Sequence, residues 1–459
     1  MNLEGERPQK SAKVERAREE KGEAPKVARR EETPEAGQGS DRSGRTSALM
    51  EEVISIPNLQ AALKRVEANR GSPGIDGMRA EELRLCLRAN WKELTRALLE
   101  GTYRPQAVKR CEIPKDNGGV RVLGIPTVLD RFIQQALLQV LQPIIDPTFS
   151  NSSFGFRPGR SAHDAIARAR EAIQEGRHYV VDVDLEKFFD RVNHDVLMER
   201  LARRIEDKRM LRLIRRYLEA GMMANGVVLA REEGTPQGGP LSPLLANVLL
   251  DEVDKDLERN GHAFARYADD CNVYVHSKRA GERVMERLTK LYAKLRLKVN
   301  VEKSAVASAF QRDFLGFGFW VAPGKRVQVR VAKKAVRKLK DRVRTLTRRN
   351  NGRSMHQTAE ALASYLRGWH GYFRIAQTPR ALIPIDKWIR HRLRAIQLKQ
   401  WKRGPTAYDA ARRLGAPRDT ALAIAIHLHR WWHTAGSLAN VILPNSYFDD
   451  ELGLPRLGR

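Results

Sequence analysis

Two adjacent carboxylates within an apolar strand-turn-strand pattern constrain this chain more than any other feature. Asp269 and Asp270 interrupt the run 264–275, whose flanking residues read as two short β-strands. The pattern predicts a partly buried hairpin with both aspartates at its tip. Paired aspartates are often ordinary turn residues, but carboxylates in a partly buried hairpin are costly without a cation. The hairpin is therefore a candidate metal site.

A second acidic segment follows a strand predicted near 178–184. Alternation places Asp182 and Asp184 on one face of this strand and valines on the other. Like charges side by side need an offset, either a cation or a nearby Lys or Arg, and a solvated strand end is an equal alternative. Mg²⁺ takes carboxylate oxygens together with substrate phosphates. Aspartates from two strands can hold two such ions, an arrangement suited to in-line nucleotidyl transfer.

The remaining pattern indicates a mixed core followed by helices. Turn residues at 115–119 separate β-branched runs at 111–113 and 120–123, which predicts a hairpin. Short strands then mix with helices up to about residue 320, which favours an α/β or α+β fold. Beyond that point, apolar residues repeat at intervals of three and four, which predicts amphipathic helices. We place a domain boundary near residue 325.

The charge balance favours a polyanionic partner. Among 459 residues, 83 are Lys or Arg and 55 are Asp or Glu, so the net charge is +28. No apolar run approaches the roughly 18–20 residues that span a bilayer, so we expect nucleic acid rather than a membrane. Three cysteines are too few for a disulfide framework, which predicts an intracellular protein. Residues 1–48 lack aromatic side chains and are predicted to be a disordered charged tail.

Basic residues concentrate in two of the C-terminal helices. Residues 325–349 include twelve Lys or Arg and one acid, and residues 387–403 include seven and no acid. A single charged helix face is usually only solvated, but two such helices indicate binding of phosphates.

Five short segments, taken together, resemble one protein family. They are Phe-Gly-Phe-Arg-Pro-Gly-Arg-Ser-Ala-His at 154–163, Asp-Leu-Glu-Lys-Phe-Phe-Asp at 184–190, Gly-Thr-Pro-Gln-Gly-Gly-Pro-Leu-Ser-Pro at 234–243, Tyr-Ala-Asp-Asp at 267–270 and Phe-Leu-Gly-Phe at 314–317. In this order and spacing they resemble the group II intron-encoded reverse transcriptase/maturase family. Residues 369–373 resemble its maturase domain. The likeness covers about 50–459 and implies an α+β right-hand polymerase followed by an α-helical maturase domain.

The resemblance implies a catalytic role for three aspartates. Asp184, Asp269 and Asp270 match the residues that hold two Mg²⁺ ions in this family, with Mn²⁺ as an alternative. Phe189 matches the steric gate that excludes a ribose 2′-hydroxyl, although it could also be a core residue. Asp182 has no family role that we can assign, and the preferred interpretation is that it tunes the local charge or bonds a nearby amide.

Other residues are implied to bind the incoming nucleotide. Lys115 and Arg121 lie on the two arms of the predicted hairpin and match residues of the fingers that clamp the triphosphate. Gln237 and Gly238 precede a helix predicted to have Ser242 at its N-cap, and they match the family's glycine-rich motif; an ordinary turn is the alternative. Lys303 matches a lysine near the triphosphate.

The resemblance also divides the chain and identifies its partners. The implied regions are a tail at 1–48, an N-terminal helical extension at 49–100, fingers and palm at 101–324, a thumb and maturase domain at 325–415 and a nucleic-acid-binding segment at 416–459. The residues implied to bind RNA are Lys333, Lys334, Arg337, Lys338, Arg390, Arg394 and Lys399. Helical phase predicts that Arg390, Arg394 and Lys399 are exposed. The implied partners are group II intron RNA, an RNA template with a DNA primer or target DNA, and dNTPs.

The resemblance to members that lack an endonuclease domain predicts a bacterial, cytoplasmic enzyme acting at the nucleoid. No Cys-x-x-Cys pair accompanies the histidines near the C-terminus, so no zinc site is expected. Two alternatives remain open. One is a non-catalytic RNA-binding splicing factor, and the other is a related bacterial reverse transcriptase used in antiviral defence or DNA repair.

Overall fold

The structure is a computed structural model that describes residues 48–458 except 115–117, 225–226, 230–232, 236–237 and 351. The tail predicted at 1–48 lies outside the described residues apart from Ala48. The described residues belong to one compact unit.

Helices and a small sheet form the N-terminal part. Helices α1 (Leu49–Val53), α2 (Ile56–Asn69) and α3 (Leu83–Leu99) come first. The predicted hairpin is confirmed as antiparallel strands β1 (Val108–Pro114) and β2 (Val120–Ile125). Two short strands, β4 (Met222–Ala224) and β5 (Val227–Leu229), extend this hairpin into a sheet. Strand β4 pairs with both β1 and β5, so the order is β2-β1-β4-β5.

A second antiparallel sheet, which we call the central sheet, has the order β6-β7-β3-β8. Its strands are β3 (Tyr179–Val183), β6 (Ala263–Tyr267), β7 (Asp270–Val275) and β8 (Ala305–Ser308). Because side chains alternate along β3, Val181 and Val183 pack into one apolar cluster while Val180 packs into another. Both faces of the central sheet are therefore covered.

The helices that cover this sheet lie between residues 128 and 294. They are α4 (Val128–Ile145), α5 (Ala162–Gln174), α6 (His194–Ala202), α7 (Lys208–Glu219), α8 (Ser242–Arg259) and α9 (Lys278–Lys294). The apolar side chains of α5 join the cluster of Val180, and those of the other five helices join the opposite cluster. Polar side chains cap several of the helices; Ser161 and Asp164, for example, form a capping box at the start of α5.

A hairpin and a helical domain complete the chain. Strands β9 (Phe317–Ala322) and β10 (Arg326–Val331) pair antiparallel. The following helices are α10 (Lys333–Leu346), α11 (Met355–Phe373), α12 (Ile383–Trp401), α13 (Gly404–Arg413), α14 (Arg418–Ile426), α15 (Trp431–Gly436) and α16 (Ala439–Ile442). They share a separate apolar core that extends from Leu339 to Leu457. The predicted architecture, an α+β core followed by amphipathic helices, is confirmed.

All three cysteines are free. Among the described residues, no helix combines the length and apolarity needed to cross a bilayer.

Candidate active site

One end of the central sheet carries the three aspartates that the sequence predicts to act together. Strands β3 and β7 run antiparallel, with Val183 opposite Cys271. Asp184 directly follows β3 and Asp270 begins β7, so their backbone positions adjoin across the sheet. Asp269 immediately precedes β7 in the hairpin turn. Aspartates from the two acidic segments therefore meet at one place.

The backbone fixes the turn between β6 and β7. Tyr267 pairs with Asp270, so Ala268 and Asp269 form the turn. Ala268 has a φ of 58°, in the left-handed region. Gly155 lies against this turn, and a Cβ atom on it would stand 2.2 Å from the Ala268 amide nitrogen. Any larger residue at 155 would displace the turn that carries the aspartates.

A buried ion pair that the sequence analysis missed supports this hairpin. Arg266 in β6 is fully buried and pairs with the equally buried carboxylate of Asp254 on α8, to which its Nε donates at 2.8 Å. Its guanidinium also donates to Asn247 Oδ1 at 2.9 Å, Ser153 Oγ at 2.7 Å and the Ala268 carbonyl at 2.8 Å. The last bond joins the ion pair to the acidic turn. The sequence signal was a single arginine within an otherwise apolar strand.

The clustered carboxylates destabilise one another's charged forms. Partial removal from water is the main cause that raises the pKa of Asp270 to about 6, although the residue is exposed at the surface of the site. The charge of Asp269 is the next cause, followed by those of Asp182 and Asp184. Burial also raises the pKa of Asp269, and the charge of Asp184 adds to the effect.

These carboxylates suit a divalent cation without forming a complete cage. In the described part of the chain, no group of three or more His, Cys, Asp or Glu side chains is arranged to hold a metal by itself. Mg²⁺ typically takes one or two protein carboxylates and completes its shell with water and substrate phosphate. The oxygen donors of Asp184, Asp269 and Asp270 fit that requirement. Their mutual repulsion is the cost that a cation would remove.

Asp182 has its own partners. Arg312 Nε donates to its Oδ2 at 2.9 Å, and the side-chain amide of Asn272, turned toward it, donates to Oδ1 at 3.0 Å. Asn272 is also its partner in the β3–β7 register. Asp182 therefore has an arginine and an amide as partners, in agreement with a residue that tunes the local charge or bonds a nearby amide.

Asp184 is held by the loop at residues 300–304, which precedes β8. Its amide donates to Ser304 Oγ at 3.0 Å, and its carbonyl accepts a hydrogen bond from the Asn300 amide at 2.8 Å. The same loop brings Lys303 Nζ to 3.7 Å from the Asp184 carboxylate. Lys303 is largely exposed, so its ammonium is available to a polyphosphate next to Asp184.

The hairpin of β1 and β2 contributes one described cation to the site. Arg121 lies in β2 with an exposed side chain, and its charge lowers the pKa of Asp269, opposing the effect of burial. The guanidinium therefore lies close enough to the acidic turn to act on it electrostatically. Lys115, predicted on the other arm, lies outside the described residues.

Phe189 is more exposed than its neighbour Phe188, as the predicted steric gate for the ribose requires. Phe188 is buried in the core, whereas Phe189 is only half-buried and packs edge-on against it at a centroid distance of 5.0 Å. The Phe189 carbonyl accepts a hydrogen bond from the Thr235 amide at 2.8 Å. The ring is thus anchored next to the glycine-rich segment while part of its surface stays open.

The glycine-rich segment approaches protein backbone rather than open space. Gly238 has a φ of 137°, and a Cβ atom on it would lie 2.7 Å from the Gly124 carbonyl oxygen in β2. This close approach accounts for the glycine, while nucleotide binding by Gly238 stays a prediction. Gln237 lies outside the described residues. Helix α8 begins at Ser242 itself with Leu241 at the N-cap, so the predicted cap was wrong by one residue.

The predicted RNA-binding residues divide into two groups. Those on α10 are exposed, as is the last of those on α12: Lys333, Lys334, Arg337, Lys338 and Lys399. Arg390 and Arg394, which we expected to be exposed from helical phase, are 1% and 4% exposed. For these two residues the prediction of a solvent-facing position was wrong.

Segment 443–458 explains this burial because it packs along α12. Arg390 Nε donates to Asp449 at 2.8 Å, and Arg394 Nε donates to the Leu443 carbonyl at 2.6 Å. Asp386 accepts hydrogen bonds from the Leu457 and Gly458 amides at 3.0 and 2.9 Å. These buried bonds attach the C-terminal segment to α12, and they explain the arginines without a nucleic acid.

A basic pocket at the end of α10 was not predicted at residue level. It has a volume of about 560 Å³ and includes Arg348, Arg349 and Arg392 in its lining. Within the described residues, none of the three lies within ion-pair distance of a carboxylate. Arg349 lies 3.3 Å above the ring of Trp431, and Arg392 lies 5.3 Å from that of Trp388. Burial, followed by the neighbouring arginines, lowers the pKa of Arg392.

Two family models match the chain. Residues 113–319 match "Reverse transcriptase (RNA-dependent DNA polymerase)", and residues 336–415 match "Group II intron, maturase-specific domain". The first range contains the central sheet and the acidic turn, and the second contains α11 and α12.

Individual relatives show the same likeness over part of their length. The chain is 37% identical over 225 residues to Protein YkfC of Escherichia coli (strain K12), covering 48% of this chain and 59% of that protein. It is 37% identical over 214 residues to the group II intron-encoded protein LtrA of Lactococcus lactis subsp. cremoris, covering 46% of this chain and 36% of that one. Among solved structures, a chain of a partial Cas6-RT-Cas1–Cas2 complex is 27% identical with a TM-score of 0.35, covering 56% of this chain and 43% of that one.

Proposed function

We propose that this chain, which belongs to the group II intron-encoded reverse transcriptase/maturase family, is an RNA-directed DNA polymerase that also binds its intron RNA and assists splicing and retrohoming. The observation that carries the proposal is the meeting of Asp184, Asp269 and Asp270 at one end of the central sheet. The chain spans 59% and 36% of the two curated relatives described above, so activity and partners are inferred from its own site.

Asp184, Asp269 and Asp270 would hold two divalent cations, Mg²⁺ or alternatively Mn²⁺. When bound, these ions supply Lewis-acid activation of the primer 3′-hydroxyl and stabilisation of the leaving pyrophosphate. The raised pKa values of Asp269 and Asp270 support this assignment, because a cation favours their charged forms.

The remaining residues bind and select the nucleotide. Arg121, and Lys115 by resemblance, would clamp the triphosphate from the fingers, while Lys303 approaches it from the side of Asp184. The partly exposed ring of Phe189 would occupy the space of a ribose 2′-hydroxyl, so dNTPs are preferred to NTPs. The template is RNA, and the primer is DNA or the target DNA.

The C-terminal helices would bind intron RNA. The exposed cations of α10 supply positive charge on one surface of this domain. The pocket lined by Arg348, Arg349 and Arg392 supplies more, and no described carboxylate lies within ion-pair distance of these three arginines. Phosphates of structured RNA suit such a surface. In this proposal, residues 49–100 form an N-terminal extension, 101–324 the fingers and palm, 325–415 the thumb and maturase domain, and 416–459 a C-terminal nucleic-acid-binding segment. A protein with these substrates acts at the nucleoid of a bacterial cytoplasm.

Primer extension on an RNA template tests the polymerase. The wild-type protein is expected to extend a DNA primer only with Mg²⁺ or Mn²⁺, and Asp269→Ala should abolish extension while leaving RNA affinity unchanged. The matched control is Asp313→Ala, an aspartate that pairs with Arg330 outside the acidic turn. Wild-type RNA binding without any extension would favour the non-catalytic splicing factor. Full extension by Asp269→Ala would overturn the assignment of the site.

A further inference from the structure

Phe156 adopts a backbone conformation that is unusual for a bulky residue. Its φ is 61°, in the left-handed region, where an L side chain with a Cβ atom is strained. Its side chain is nevertheless 48% exposed, whereas Phe154, two residues earlier, is 5% exposed in the core. Burial of the ring therefore does not account for an aromatic residue at this position.

The residues on both sides of Phe156 impose the strained conformation. Gly155 is wedged against the Ala268 backbone, and its carbonyl accepts a hydrogen bond from Asn247 Nδ2 at 2.9 Å. On the other side, the buried Arg157 guanidinium donates to Asp146 Oδ1 at 2.8 Å and to the Ser153 carbonyl at 2.9 Å. With its neighbours fixed, residue 156 has little freedom, and glycine would fit there at the lowest conformational cost.

The ring lies next to the acidic turn. Its centroid is 6.5 Å from that of Tyr267, the residue that pairs with Asp270 across the hairpin. Two aromatic rings, one of them about half exposed, thus stand beside the carboxylates on the same rigid support. Aromatic faces that are open to solvent next to a polymerase site suit stacking against a nucleobase or its sugar.

We propose that the exposed ring of Phe156 contacts the terminal nucleotide of the growing DNA strand. The inference rests on the proposed function, because that function requires the primer 3′-hydroxyl to reach Asp269 and Asp270. Phe156 is attached to that turn through Gly155, so the primer terminus is the nucleotide that lies nearest to it. The strain is tolerated because the ring positions this nucleotide.

A set of substitutions at one position separates this role from a structural one. Phe156→Gly removes both the ring and the strain, Phe156→Leu removes only the flat face, and Phe156→Tyr retains it. Arg296→Gly is the matched control, since Arg296 also has a positive φ of 58° but lies in the turn after α9. Thermal unfolding and primer binding are measured for each variant.

The binding probe is a primer–template duplex with 2-aminopurine either at the primer 3′ end or opposite it in the template. Wild-type protein and Phe156→Tyr should change the fluorescence of the primer-end probe. Phe156→Leu and Phe156→Gly should lose that change and bind the primer terminus about 5- to 100-fold more weakly. Phe156→Gly should melt at or above the wild-type temperature, as should Arg296→Gly, which keeps normal binding.

Several results would overturn the proposal. A melting temperature several degrees lower in Phe156→Gly would show that the ring is there for packing. A wild-type fluorescence change in Phe156→Leu, or a change confined to the template probe, would exclude contact with the primer terminus. The binding readout needs no catalysis and is repeated in the Asp269→Ala background, so failure of the polymerase assignment is detected separately by primer extension.

Discussion

Folding disfavours the ionised form of the Asp270 carboxyl group relative to the unfolded chain. Its pKa rises from the ordinary 3.8 to about 6, so between these values the folded state binds more protons than the unfolded state. Stability contributed by this group is therefore present at low pH and is lost as pH rises from about 4 to about 6. A cation bound to the carboxylates would restore it.

The raised pKa predicts the behaviour of Asp270→Asn. Without divalent cations at pH 7, the variant should be more stable than wild type by about 1 kcal/mol, a figure reduced because Asp270 is exposed and solvent screens its charge. Addition of Mg²⁺ should stabilise the wild-type protein more than the variant. Thermal unfolding in EDTA and in Mg²⁺ measures both effects. An equal Mg²⁺ response in the two proteins would show that Asp270 does not bind the ion.

Phe189 permits a second prediction at the same scale. Phe189→Ala should reduce discrimination between dNTPs and NTPs by about 10- to 100-fold, because the open part of the ring no longer excludes the 2′-hydroxyl. Single-nucleotide incorporation measures the ratio. Phe188→Leu is the control: its ring is buried, so the change should lower stability and leave discrimination intact. Unchanged selectivity in Phe189→Ala would mean that Phe189 is only a packing residue.

The β6–β7 hairpin depends on a charge network that no local propensity predicts. Arg266 and Asp254 are both fully buried, and the guanidinium makes further bonds to the turn and to the segment preceding Gly155. Removing one charge leaves the other uncompensated in a medium of low polarity. We therefore expect the position of the turn that carries the aspartates to depend on this ion pair.

We expect Arg266→Met to lower the free energy of unfolding by about 3–5 kcal/mol, because Asp254 is then left unpaired. The double variant Arg266→Met/Asp254→Leu should recover most of that loss but not primer extension, since the bond to the Ala268 carbonyl is missing. Chemical denaturation and primer extension are measured in parallel. Recovery of both in the double variant would mean that the network stabilises the core without positioning the hairpin.

Across the whole molecule, the proposed catalytic and RNA-binding surfaces lie in different parts of one compact unit. The acidic turn belongs to the central sheet, whereas the exposed cations lie on α10 and the basic pocket at its end. The helical domain contacts the preceding β9–β10 hairpin through two aromatic rings. The ring centroids of Phe373 in α11 and Phe317 in β9 are 5.0 Å apart. The boundary near residue 325 is thus crossed by packed side chains.

The separation of surfaces predicts the effect of Lys333→Gln/Lys334→Gln/Arg337→Gln. This triple variant should lower the salt slope of intron RNA binding by about 2 and slow splicing, while extension of a short generic duplex is largely kept. Binding is measured at salt concentrations between about 50 and about 200 mM. A parallel fall of extension and splicing would show that α10 serves the primer–template duplex.

Arg390→Gln provides the contrast within the same domain. Because Arg390 is buried against Asp449, its loss should destabilise the protein and release the C-terminal segment rather than reduce the salt slope specifically. Limited proteolysis near residues 443–458 together with thermal unfolding reports the release. A lower salt slope at wild-type stability would restore Arg390 to the RNA-binding surface.

Residue type and local order were sufficient to predict many features of this protein. The alternation around Asp182 and Asp184, the turn at 268–269 and the apolar spacing of α10, α11 and α12 are consequences of the period of a strand or a helix. The order of five short segments then indicated the family and predicted a shared role for the three aspartates. Such signals are local, so they can be read from the chain alone.

Tertiary structure decided what depends on contacts between distant segments. Helical phase placed Arg390 and Arg394 on an exposed face, but residues 443–458 fold back over that face and bury them. Arg266 supports the hairpin because its partners, Asp254 on α8 and Ser153 in the loop before Gly155, come from other parts of the chain. Burial and charge pairing are properties of residues brought together from far apart, and no short stretch of sequence specifies which segments will meet.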